Sequence, residues 1–145
     1  MSVELPFAPV DAVIRRNAGD LRVSADAAEE LARRIQTRGA ALAREAAERA
    51  TADGRKTLMA EDFGVSEADT PDAESLTLPV APVDRIARLD VDDRYRVAMD
   101  ARVALADVLE EFADEVAEGA AVLARHADRR TVLAEDVETY FELLE

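Results

Sequence analysis

The basic side chains of this sequence are almost all guanidinium groups, 17 arginines against one lysine, Lys56. A guanidinium presents two parallel N–H donors, a fork that grips a phosphate or carboxylate at two points. Several of these groups recur in a fixed setting. Arg55-Lys56-Thr57 returns 74 positions on, from 57 to 131, as Arg129-Arg130-Thr131, and each triplet leads into an Ala-Glu-Asp run ending at Asp62 or Asp136. Against these cations stand 32 acidic residues, one histidine (His126) and no cysteine. Without cysteine there is no disulfide framework, thiolate zinc site or thiol nucleophile. A lone histidine brings no further metal ligands with it. General acid–base or nucleophilic catalysis needs groups converging in a pocket, whereas these carboxylates fall on amphipathic helix faces. No Ser-His-Asp pattern or glycine-rich phosphate loop occurs. The chain is expected to recognise ions, with no enzyme activity, cofactor, metal or small-molecule substrate.

The elements that must position these groups also come in duplicate. Leu5-Pro6-Phe7-Ala8-Pro9-Val10-Asp11 recurs as Leu78-Pro79-Val80-Ala81-Pro82-Val83-Asp84, so two signatures keep their separation in both halves. A repeat of this kind implies two copies of one folded unit. Each copy is near 70 residues, too small to offset chain entropy comfortably; pairing them as in a homodimer would supply the missing core. Apolar content of 49% with 4% aromatic residues points to helices.

Each half reads as short helix, long helix, short helix. Pro9 is placed at the start of the first, where its missing N–H costs nothing, with Val10, Val13 and Ile14 as its apolar stripe and Asn17 to Asp20 as its stop. Ser24 and Asp26 cap a long helix over 25–52 with Leu31, Ile35, Leu42 and Ala46 inward. Asp53-Gly54 ends it, and Thr57 is assigned as cap of a last turn over 60–65. In the second half Val83 and Ile86 mark the short helix. The long one, over 98–127, carries Leu105, Val108, Leu109, Phe112, Val116 and Leu123. Thr131 is assigned as cap of a final helix with Val137, Tyr140, Phe141 and Leu144 inward. Gly64 cuts the counterpart of that helix short. The polar run 66–77, broken by Pro71, reads as a linker, giving units at 1–66 and 78–145 joined by 67–77.

The formal charge is −14. Residues 1–70 hold 10 basic and 13 acidic side chains, and residues 71–145 hold 8 and 19. Taken alone this balance argues against nucleic acid. It equally suits a protein adapted to molar salt, where dense carboxylates hold water and ions. There the Debye length falls to about 3 Å, so local geometry chooses partners. The N-terminus has no signal-peptide pattern and no 18-residue apolar run occurs, so a cytoplasmic location is expected.

Leu-Pro-x-Ala-Pro, an Arg-Val pair before a long helix, and then Arg-[Lys/Arg]-Thr-x-x-Ala-Glu-Asp form the pattern of archaeal histones, present twice in order. The chain resembles a doublet histone, two histone folds in tandem, of the acidic kind found in salt-loving archaea. The resemblance implies an all-α fold whose halves clasp in a handshake pseudo-dimer. It implies sequence-blind binding and bending of double-stranded DNA on the chromosome. The central contact would use the N-termini of the first helices, with Arg15 in one half and Arg85 and Arg88 in the other. The outer contacts would use minor-groove arginines Arg22 and Arg96, beside the triplets Arg55, Lys56, Thr57 and Arg129, Arg130, Thr131. In the family, Arg55–Asp62 and Arg129–Asp136 form internal clamps. Arg33, Arg34, Arg38, Arg44 and Arg49 are expected on a solvated helix face. Leu123, His126 and Asp136 match a family dimer–dimer contact; Arg49 and Ala52 stand at the places of the first two in the N-terminal half. Self-association through the C-terminal half alone, a monomer or a filament all stay open. The rival reading keeps the histone shape as a scaffold for protein partners or regulation. It would win if Asp11, Asp84, Asp90, Asp92, Asp93 and Asp128 dominated the arginine-bearing surface.

Overall fold

The computed structural model describes residues 2–144. Three helices lie in the N-terminal half if its single 3₁₀ turn is counted: α1 (Phe7–Ala18), α2 (Ala25–Ala52) and the turn Ala60–Phe63. The C-terminal half holds α3 (Val80–Ala87), α4 (Met99–His126) and α5 (Ala134–Leu144). Pro6 is the extended residue ahead of α1. Pro9 therefore sits inside the first turn rather than at the helix start. It is tolerated there because the first-turn N–H groups have no intrahelical acceptor. Ser24 accepts the amide of Ala27 and starts α2. No side chain does the same for α4, where Ala98 holds the corresponding place.

Four two-residue strands knit the halves together. β1 (Arg22–Val23) runs parallel to β4 (Thr131–Val132), and β2 (Thr57–Leu58) runs parallel to β3 (Arg96–Val97). The first loop of each half therefore pairs with the second loop of the other. Amide-to-carbonyl bonds of 2.8 Å from Arg22 to Arg130 and from Arg96 to Lys56 fix both registers. The two long helices contact each other, and α1 packs on both. This is the handshake of two tandem histone folds.

The core is continuous across the halves. Ile14, Leu31, Ile35 and Leu58 from one share a cluster with Leu78, Ile86, Leu105 and Leu109 from the other, all fully buried. Burying each such side chain stabilises by about 1.5–3 kcal/mol. Gln36 and Glu110, both nearly buried, tie down the two Leu-Pro segments: Gln36 accepts the Glu4 amide at 2.8 Å, and Glu110 accepts the amides of Thr77 and Leu78 at 2.7 and 2.8 Å.

The structure corrects three assignments. Thr57 and Thr131 lie in β2 and β4, not at helix caps. The capping is done three residues into the turn or helix, where Asp62 and Asp136 accept the amides of Met59 and Leu133 at 2.8 Å. A carboxylate can reach back to an orphan N–H at a helix start as well as a hydroxyl can reach forward. Leu144 is 67% exposed, because the last turn of α5 runs past the surface it packs on. Gly64, at φ +79°, ends the 3₁₀ turn in a conformation that a side chain would strain. Residues 67–77 hold two further 3₁₀ turns, Glu67–Asp69 and Ala73–Ser75. Among the described residues no helix is long and apolar enough to cross a membrane.

Candidate nucleic-acid interface

The strand pairs build two corners of similar design. At one, Arg22 faces Thr131 in register, with Arg130 the next residue back; at the other, Arg96 faces Thr57, with Lys56 next to it. Arg22, Lys56, Arg96 and Arg130 are exposed and make no ion pair among the described residues. Their amides and carbonyls are engaged in the strand bonds, so the backbone is held while the side chains stay available.

The neighbouring arginines behave differently. Arg55 donates to both oxygens of Asp62 at 2.9 Å and to the Thr57 carbonyl at 2.8 Å. Arg129 grips both oxygens of Asp136 and donates to the Thr131 carbonyl at 3.2 Å. Both aspartates are buried. The Arg55 guanidinium holds the Asp62 carboxyl below its ordinary value of 3.8, and Asp62 raises Arg55 in turn. Hydrogen bonding to Asp136 likewise raises Arg129. A guanidinium that closes the loop from strand to helix in this way has few donors left for a ligand. Arg49 adds a 2.6 Å bond to the Asp62 carbonyl, so it is part of this framework and not solely a solvated charge.

At the first helices every arginine named from the sequence is paired. Arg15 donates to Asp11 at 2.6 Å, Arg85 to Glu4 at 3.0 Å, and Arg88 to Asp84 at 3.1 Å; Arg102 lies 3.3 Å from the same Asp84. The i to i+4 spacing of Asp11–Arg15 and Asp84–Arg88 is a sequence signal for such pairs. Glu4–Arg85 has none, because 81 residues separate the partners. The same holds for Arg16, which binds Asp114 through two bonds of 2.8 and 2.9 Å and joins the halves.

The acidic positions are largely spent on cations. Asp90 pairs with Arg44 at 2.7 Å and Asp92 with Arg94 at 3.1 Å. Asp93 and Asp128 are exposed with no ion pair among the described residues. Of the long-helix arginines, Arg33 and Arg34 pair with Glu30, while Arg34 and Arg38 also lie over the rings of Phe141 and Phe112. His126 is exposed, Leu123 is half-buried, and Asp136 is committed to Arg129.

Comparison with known proteins bears on both halves. Residues 3–65 and 76–139 each match the family described as histone-like transcription factor (CBF/NF-Y) and archaeal histone. Over 60 residues, 41% of the chain, it is 53% identical to the archaeal histone HAN1 of Thermococcus zilligii, spanning 87% of that protein. The crystal structure of the histone from Methanopyrus kandleri aligns at a TM-score of 0.69 and 30% identity, covering 92% of this chain and 91% of that one. A crystal structure from Thermus thermophilus aligns at the same TM-score with 18% identity, covering 98% of this chain and 99% of that one, a likeness of fold alone.

Proposed function

The chain belongs to the family of histone-like transcription factors and archaeal histones, and from that membership we propose that it is a non-catalytic architectural protein that binds and bends double-stranded DNA without reading its sequence. One observation carries this: four unpaired cations stand in two pairs at two corners whose backbones are locked by inter-half strands. Arg22 and Arg96 enter the minor groove, where an arginine responds to groove width and negative potential rather than to base identity. Lys56 and Arg130 contact the flanking phosphates, with the Thr57 and Thr131 hydroxyls beside them. Arg55 and Arg129 shape the loops from within. The units are residues 1–66 and 78–145, joined by 67–77. The acidic surface suits DNA binding in concentrated salt, on the chromosome in the cytoplasm. A second copy docks through Leu123, His126 and the Asp136 end of the C-terminal half.

The scaffold reading draws on the charge of −14 and on exposed Val122 and Leu143, at 57% and 69%. A direct test separates the two. Affinity for random and defined duplexes is measured from dilute to molar KCl, for the unaltered chain and for Arg22→Ala with Arg96→Ala. The expected loss in the double variant is at least tenfold at each salt, equal for all sequences. Undiminished affinity in that variant would remove the minor-groove mechanism. No binding by the unaltered chain would favour the scaffold.

A further inference from the structure

The arginines around the first helices differ from those of the corners in one respect: each already has a carboxylate. Asp11 and Asp84 have only 15% and 18% of their side chains exposed, and Glu4 has 24%. Arg15, Arg85 and Arg88 are 57%, 55% and 43% exposed. The cations can swing toward an approaching phosphate, but the carboxylates are seated in the protein surface and cannot leave. Whatever rotamer each arginine takes, the local charge stays close to neutral.

Resting on the DNA-binding reading above, we propose that Glu4, Asp11 and Asp84 are built-in counterions that mute the central part of the DNA interface, leaving Arg22, Lys56, Arg96 and Arg130 to carry its electrostatics. The consequence is a shallow dependence on salt. A cation that neutralises a phosphate releases a bound counterion, and log K falls with log salt by about 0.9 for each such cation. An arginine that arrives with its own carboxylate releases none. Four free cations give a slope near −4, so a fourfold rise in salt costs on the order of a hundredfold in affinity. If the three central arginines were also free, the slope would approach −6 and the loss several thousandfold. Muting the centre thus gives up affinity in dilute salt and retains it where the Debye length is about 3 Å.

The experiment is a salt titration of affinity for one random-sequence duplex in KCl from about 0.05 to 2 M, a range wide enough to define the slope. The chains compared are the unaltered protein, a triple variant (Glu4→Gln, Asp11→Asn, Asp84→Asn), and a variant lacking both members of two pairs (Glu4→Gln, Arg85→Gln, Asp11→Asn, Arg15→Gln). Removing three carboxylates should steepen the slope by about three and raise affinity at the lowest salt. Removing whole pairs should leave the slope of the unaltered chain. Thermal melting by circular dichroism verifies that all three chains are folded. An unaltered chain with a slope steeper than about −6, or a triple variant with an unmoved slope, overturns the muting and leaves DNA binding standing. Absence of binding by the unaltered chain at every salt overturns both.

Discussion

At the scale of single residues, the same side-chain type does three jobs, and the carboxylate beside it decides which. Arg55 and Arg129 close loops onto buried aspartates, Arg15, Arg85 and Arg88 are held neutral at the surface, and Arg22 and Arg96 stand free. The clamp on Asp62 has a consequence for acid stability. The Arg55 guanidinium favours the charged carboxyl in the folded chain, so the folded state binds fewer protons than the unfolded state as pH falls. Stability from this pair is complete above the ordinary aspartate value of 3.8 and is lost as pH drops through the lower, folded value. Melting temperature followed downward from pH 5 should therefore fall, and Asp62→Asn should flatten that fall while lowering the plateau. An equal acid slope in the variant would show that the clamp does not set it.

Secondary elements diverge between the halves, and α5 is where the divergence has the most packing behind it. Tyr140 and Phe141 meet edge to face at 5.6 Å, and Phe141 lies 6.0 Å from Phe112 of α4. Tyr140 lies directly against the α4 backbone at Gly119, where an added Cβ would stand 2.2 Å from the ring. Gly119 is thus kept for close approach, although alanine is the better helix former. Gly119→Ala should destabilise by about 1–3 kcal/mol through overpacking, read as an earlier denaturant midpoint at unchanged slope. A stabilised Gly119→Ala would mean that helix propensity outweighs the contact. The N-terminal half has no such helix, because Gly64 stops its 3₁₀ turn after Phe63.

At the scale of the whole molecule, the pseudo-two-fold arrangement is close in shape and unequal in surface. Exposed Val122 and Leu143 line a shallow groove with Gly119, Leu123 and Tyr140 in the C-terminal half, beside His126 in sequence. Arg49 and Ala52 replace Leu123 and His126 in the other half. A second copy docking there would yield a closed pair of chains, since one face per chain cannot propagate a filament. Sedimentation equilibrium in molar KCl should show reversible dimers for the unaltered chain and monomers for Leu123→Glu. Dimers persisting in that variant would place the contact elsewhere.

Much of the architecture is legible along the chain because it rests on local or repeated patterns. The 74-residue echo of Arg-[Lys/Arg]-Thr announces two like units, and Ser24 and Gly64 mark boundaries through their own backbone chemistry. What periodicity does not supply is long-range pairing. That Arg22 stands beside Arg130, that Glu4 binds Arg85, and that Arg16 reaches Asp114 depend on which loops the handshake brings together. Thr57 and Thr131 fail as caps for the same reason: their backbones are taken by strands from the opposite half. Residue type and spacing along the chain thus determined which charges exist and which helices carry them. Only the interlocked halves decided which of those charges are cancelled and which remain, because an ion pair forms by distance in space and not by distance in sequence.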